Sequence, residues 1–300
     1  MAVFAGIIDY EPLTKIDNAI EPYYPKLEFD IIKKMLSTAN SFKPEVPDEI
    51  INNYQNCDRF ISNDESEESG ILSFAFPDFG LFSNKSYYFQ SSIRCGSIGQ
   101  LGKGGHSHND QLSFDLCIAG KDFIVDTGTY LYTALPERRN EFRSSSIHNT
   151  LVISNLEQNH WGDKSIDDLF WISKNMSKAK ALQFSDKMFV GEQYAYPKPH
   201  KRILSFEINK IEGIDICNCE GDKQVLFHLS PEVQVENIID EKLVVLTLDR
   251  IIVELSSQNS KISIQDYLYS PSYGIIQKSK KIVLASTEKK IKWAIEIITV

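Results

Sequence analysis

From about Gly70 to the C-terminus, apolar side chains recur at every second position. Leu112, Phe114, Leu116 and Ile118 alternate with Ser113, Asp115 and Cys117. Ile291, Trp293, Ile295 and Ile297 alternate with Lys292, Ala294 and Glu296. A period of two sends successive side chains to opposite faces of an extended chain, so each run predicts a half-buried strand. The segments at 151–154, 202–208, 224–229, 243–248 and 251–255 read the same way, separated by turn formers at Gly120, Gly162, Gly213 and Gly221-Asp222. No apolar period of helical length lies between them, which argues against a βαβ arrangement. The pattern predicts a mainly β domain, an antiparallel multi-stranded β-sandwich.

The first part of the chain has a different rhythm. Leu27, Ile31 and Met35, with Ile32 and Leu36 alongside, follow the spacing of an amphipathic helix. Pro44–Tyr54 predicts a second short helix, with Pro47 and Asp48 at its start. The polar run Ser62–Gly70 reads as a loop or linker. The expected division is a short helical segment over 1–67 and a β-sandwich over 68–300.

Composition narrows the picture only a little. With 300 residues, 42% hydrophobic and 24% charged, the chain suits a globular protein. Its net charge of −9 disfavours a general nucleic-acid binder, which needs a basic face. No apolar run approaches the roughly 18–20 residues that span a bilayer. The start, MAVFAGIIDYEPL, has no basic n-region and meets Asp9 at once, unlike a secretory signal peptide. The five cysteines lack a C-x-x-C pair. Cys217 and Cys219 point to one face of a strand and read as small buried residues, a mild lean towards a reducing compartment.

The chemistry concentrates in Gly102-Lys-Gly-Gly-His106-Ser-His108-Asn-Asp110. Glycines permit unusual dihedrals and close approach, and His-x-His puts two imidazoles on one side of an extended chain, a common way to offer metal ligands. Asp126 and His148 follow downstream. Imidazoles plus a carboxylate suit Zn²⁺ with a position left open, although His-x-His alone also fits a loop with no metal. A hairpin through Ala119–Asp122 would leave Asp126 on the order of 20 Å from His108 at ~3.3 Å per residue, unless the loop folds back. His160, His200 and His228 stand singly beside strand residues and read as satisfied sheet histidines.

Three segments occur together in order: GGHSHNDQLSF, then FIVDTGTYLY, then RSSSIHNT. Jointly they resemble the signature of the heparinase II/III-like polysaccharide lyases over roughly residues 68–300. Weaker echoes follow at His200-Lys-Arg202, Phe227-His-Leu-Ser-Pro231 and Ser270-Pro-Ser-Tyr-Gly274. The resemblance implies a structural zinc on His108, Asp126 and His148, with His106 in a catalytic cleft and Asp110 and Asn149 as candidates for orienting the ligands. The implied reaction is β-elimination on an acidic, uronate-containing polysaccharide or oligosaccharide, in which a base takes the proton α to the carboxylate. The metal then organises loops rather than activating water, since a lyase consumes none.

Family enzymes also carry a large helical toroid that supplies a catalytic tyrosine. Tyr10, Tyr23, Tyr24 and Tyr54 lie in no matching context, and Tyr130 and Tyr132 read as sheet residues. The chain alone is therefore expected to be weakly active or inactive, with a helical toroid domain or chain as a partner. Two other readings stand beside the enzyme. One is a non-catalytic carbohydrate-binding or assembly sandwich that keeps the metal. The other is a cupin, which expects a glutamate four or five residues after the second histidine, where this chain has Leu112 and Ser113.

Overall fold

The computed structural model describes residues 70–132, 134–162 and 170–300. The helices expected over Leu27–Leu36 and Pro44–Tyr54, and the linker up to Ser69, lie outside the described residues. Within them the chain is mainly β and every strand pairing is antiparallel.

Strands β1 (Leu72–Phe76), β2 (Leu81–Lys85), β3 (Phe89–Arg94), β4 (Phe114–Ile118) and β5 (Lys121–Ile124) form a meander in sequence order. Helix α1 (Pro136–Phe142) follows, then β6 (Leu151–Ile153) and the ribbon of β7 (Asn159–Trp161) and β8 (Ile172–Asn175). An eight-stranded sheet is then built from β9 (Lys180–Phe184), β10 (Met188–Gln193), β11 (His200–Glu207), β12 (Lys210–Cys217), β14 (Gln234–Ile239), β15 (Leu243–Leu248), β16 (Ile251–Ser257) and β19 (Lys290–Thr299). Its order is β14-β15-β16-β19-β12-β11-β10-β9. The remaining sheet runs β17 (Lys261–Ser272), β18 (Ile275–Ser286), β13 (Lys223–His228), β6.

The meander and the four-stranded sheet are stitched end to end. Val125 N–H donates to His228 O at 2.9 Å and Ser230 N–H to Phe123 O at 3.0 Å, beside a bridge between Ile124 and Leu229. One hydrophobic core joins these sheets to the eight-stranded one: Phe114, Leu116 and Phe227 share it with Leu204, Leu255 and Trp293. The period of two is the cause. In β11 and β19 every second residue is buried, and those residues are mostly apolar.

Two expectations need correction. Gly213 is not a turn residue but sits inside β12, where the Trp293 ring lies 2.0 Å from the position its Cβ would take. Tyr130 and Tyr132 are not sheet residues either. The chain leaves the sheet after Ile124, and Gly128 and Tyr130 both adopt positive φ (82° and 57°), outside the extended region of a regular strand.

Candidate functional site

The site gathers where β5, the loop before β4 and the segment before β6 meet. The β4–β5 hairpin forms with Ile118 opposite Lys121, so Asp126 does start far along the strand from the histidine loop. The chain closes that gap by reversing between Asn109 and Ser113. Asn109 N–H donates to Arg143 O at 2.9 Å, Ser113 N–H returns to Asp110 O at 2.9 Å, and Leu112 sits at φ 62°. This fold-back brings His108, Asp126 and His148 together, with a ligand atom from each within 4.8 Å of the others.

The protonation states suit a cation. Burial, and then neighbouring His148, push His108 down to about 3, so its imidazole is neutral and has a lone pair to give. Burial opposes ionisation of Asp126, but the charge and hydrogen bond of His148 outweigh it and hold the carboxyl well below its usual range. His148 is buried, which disfavours its charge, yet Asp126 at 2.9 Å from Nδ1 raises its pKa. Its Nε2 is buried with no hydrogen-bond partner. An orphaned imidazole nitrogen, a neutral histidine and an ionised carboxylate fit a borderline divalent ion such as Zn²⁺.

Asp126 is itself held by its motif. Gly128 N–H donates to Asp126 Oδ1 at 2.9 Å, and the Gly128 Cα faces the carbonyl of Ser270, which lies 2.1 Å from where a Cβ would stand. Gly128→Ala is expected to cost more than about 2 kcal/mol, from the left-handed φ and the overlap together. Urea unfolding reads this directly, and a loss below about 0.5 kcal/mol would mean that Ser270 moves away freely.

Asn149 forms no hydrogen bond to the imidazole of His108 or His148; it ties down the strands beside them. Its Nδ2 donates to Phe114 O (3.0 Å) and Val125 O (2.9 Å), and its Oδ1 accepts from His228 N–H at 2.7 Å. Asp110 likewise forms no hydrogen bond to His108 or His148. It faces Arg94 at 3.9 Å across the cleft.

His106 is exposed and is not one of the three clustered candidate ligands. Its ring stands edge-on to Phe170 (5.2 Å) and Tyr132 (5.7 Å). Arg139 lies over both of those rings and donates to Gly105 O at 2.6 Å, fixing the glycine-rich loop. His106, Arg94, Asp110, Asp115 and Asp126 line a cleft of about 430 Å³. Burial, and then the charge of Asp126, raise Asp115 above the usual carboxylate range.

Two supports were not foreseen from sequence. Glu157 collects Asn109 Nδ2 (2.7 Å), the Ser145 N–H (2.8 Å) and the hydroxyls of Ser144 and Ser145, joining the histidine loop to the segment before His148. Arg202 spans the core: its Nη1 donates to Leu112 O and Asn149 O, both at 2.6 Å, while Nε and Nη2 engage Asp215. Asp215 also accepts from His200 Nε2 (2.7 Å) and Trp293 Nε1 (2.8 Å). His200 and His228 are thus buried sheet residues, as their isolation in the sequence implied.

A family model described as heparinase II/III-like, C-terminal, matches residues 69–294. No curated protein matches the sequence. Among solved structures, the heparan sulfate lyase HepC from Pedobacter heparinus aligns at 17% identity and TM-score 0.63, over 92% of this chain and 43% of that one. A structure of heparinase III aligns at 18% identity and TM-score 0.59, over 76% and 36%. The chain thus spans less than half the length of these lyases. Among the described residues no helix is long and apolar enough to cross a membrane.

Proposed function

Because the chain belongs to the heparinase II/III-like C-terminal family, we propose that it is the metal-bearing β-domain of a polysaccharide lyase that cleaves a uronate-containing polysaccharide, such as a glycosaminoglycan, by β-elimination. The observation that carries this reading is the placement of His106. It stands exposed on an open cleft, two residues from one member of the His108–Asp126–His148 cluster and held by aromatic rings rather than by a ligand contact.

Zinc on His108, Asp126 and His148 would supply a fixed positive charge that ties three chain segments together. The remaining chemistry falls to side chains. An imidazole can take the proton α to the uronate carboxylate or return one to the departing glycosidic oxygen. Edge-on packing against Tyr132 and Phe170 restricts the His106 ring at the wall of the cleft. The opposite wall, and a second proton-transfer group, would come from a helical toroid domain or chain.

The purified chain alone is expected to release little unsaturated uronate, because lacking one proton-transfer partner typically costs about 10²–10⁴-fold in rate. Ultraviolet absorbance of the unsaturated product measures this. Addition of a helical partner should restore turnover, and His106→Ala should abolish it. Sugar binding without turnover, even with the partner present, would favour a non-catalytic carbohydrate-binding module.

A further inference from the structure

We propose that Cys217 and Cys219 form a reversible dithiol–disulfide site, oxidised by small-molecule disulfides, beneath the exposed turn that joins β12 to β13. Cys217 ends β12 with its side chain on the core face, and Cys219 follows two residues later. Both are buried, at 1% and 6% exposure, and the Cys217 thiol donates to Cys219 Sγ at 3.2 Å. Asn218, Glu220, Gly221 and Asp222 around them are exposed, so opening of one turn uncovers the pair.

The surroundings divide the roles of the two sulfurs. Cys219, 6% exposed against 1% for Cys217, lies on the turn side; its Sγ accepts the Lys198 N–H at 3.3 Å, and both sulfurs face the Lys198 carbonyl at 3.4 and 3.6 Å. Burial, and then the hydrogen bond to Cys219, push the Cys217 thiol up to about 12. Nearby, the ammonium of Lys223 is 1% exposed and reaches only the carbonyls of Gly221 (3.1 Å) and Thr287 (3.5 Å), with no carboxylate partner among the described residues. A buried cation without a counter-charge favours an anion beside it. Its charge acts on Cys217 in that direction.

The chemistry balances with a disulfide as oxidant. The Cys219 thiolate attacks RSSR, forming a mixed disulfide and expelling RS⁻, which takes up the proton that Cys219 gave up. Cys217 then attacks the Cys219 sulfur, the intramolecular disulfide forms, and a second RSH leaves with the Cys217 proton. The sulfurs start in contact, so the second step has a high effective concentration. Residues two apart on an extended chain have Cα atoms about 6.6 Å apart, near the upper limit for a disulfide. Such a bridge is strained and readily reduced, which suits reversible oxidation rather than a permanent staple.

The test incubates the full chain, natively folded, with excess hydroxyethyl disulfide, quenches with acid, alkylates and maps peptides by mass. The peptide carrying both cysteines is expected to lose two hydrogens and both alkylation tags, and to regain them after dithiothreitol. In Cys217→Ser, Cys219 should accumulate the mixed disulfide, because the resolving thiol is gone. Full alkylation of Cys217 and Cys219 in the treated wild-type chain would overturn the proposal. So would a stable mixed disulfide on wild-type Cys219. The wild-type peptide decides the matter even if the variant does not fold.

Discussion

Arg202→Met lowers the stability of the chain by about 3–5 kcal/mol, a large share of the roughly 5–15 kcal/mol that holds a domain folded. The size follows from what the guanidinium leaves behind. Arg202 and Asp215 are both fully buried, so removing the cation strands a carboxylate away from water. Two carbonyls, Leu112 O and Asn149 O, lose their donor at the same time. Asp215 keeps the His200 and Trp293 donors, which limits the damage without supplying a counter-charge. Urea unfolding measures the loss. The double variant Arg202→Met/Asp215→Leu should recover part of it, because no charge is then stranded. A single-variant loss below about 1 kcal/mol would show that the pair is solvated in solution.

If zinc fills the proposed site, elemental analysis is expected to find it near-stoichiometric in the purified chain and at background in His108→Ala, while the fold persists. His108 is the candidate ligand to remove, because it is only partly buried. His148, by contrast, is buried and hydrogen-bonded to Asp126. Zinc retained by the variant would place the ion elsewhere or show that two ligands suffice. Acidity adds a second signature. Metal ligation needs neutral imidazoles. Asp126 raises the pKa of His148, so His148 keeps its proton to higher pH than a free histidine, and the ion must displace that proton. His108, down at about 3, has none to give near neutrality. Affinity should therefore weaken as pH falls through the range in which His148 protonates, with proton release coming from His148 and not from His108. Calorimetry in buffers of different ionisation enthalpy reads that release, and two protons released per ion would contradict it.

Much of the sandwich was legible because a half-buried strand writes its burial into alternate residues. Leu112–Ile118 and Ile291–Ile297 announced β4 and β19, apart from a shift at the first end. The three ligand candidates were legible as residue types, but their meeting was not. It depends on a chain reversal at 109–113 that includes a leucine with positive φ, and no periodicity encodes that. The buried clamp did leave a trace. His200 and Arg202 occupy the same phase of β11 as Leu204 and Phe206, and Asp215 occupies the apolar phase of β12. Charged residues on the buried face of a strand must have partners, so their presence there signalled a buried network. The segment Ser270–Gly274 was likewise visible only as a faint echo. Its backbone bonds to Thr127 and Tyr130 on either side of Gly128, a contact between distant parts of the chain that local pattern cannot show.

The clamp also bears on the order in which the molecule assembles. The candidate ligands lie within a stretch of about forty residues, but the groups that hold their backbone come from much farther along. Arg202 bonds to Leu112 across 90 positions and to Asn149 across 53, and His228 reaches Asn149 across 79. Contacts of such separation close slowly, because the entropy of large loops must be overcome before any of them is rewarded. The candidate metal pocket takes its final shape only after β11 and β13 have docked. An ion captured by the nascent histidine loop would meet ligands not yet held in place, so tight loading belongs to the folded chain rather than to its early intermediates.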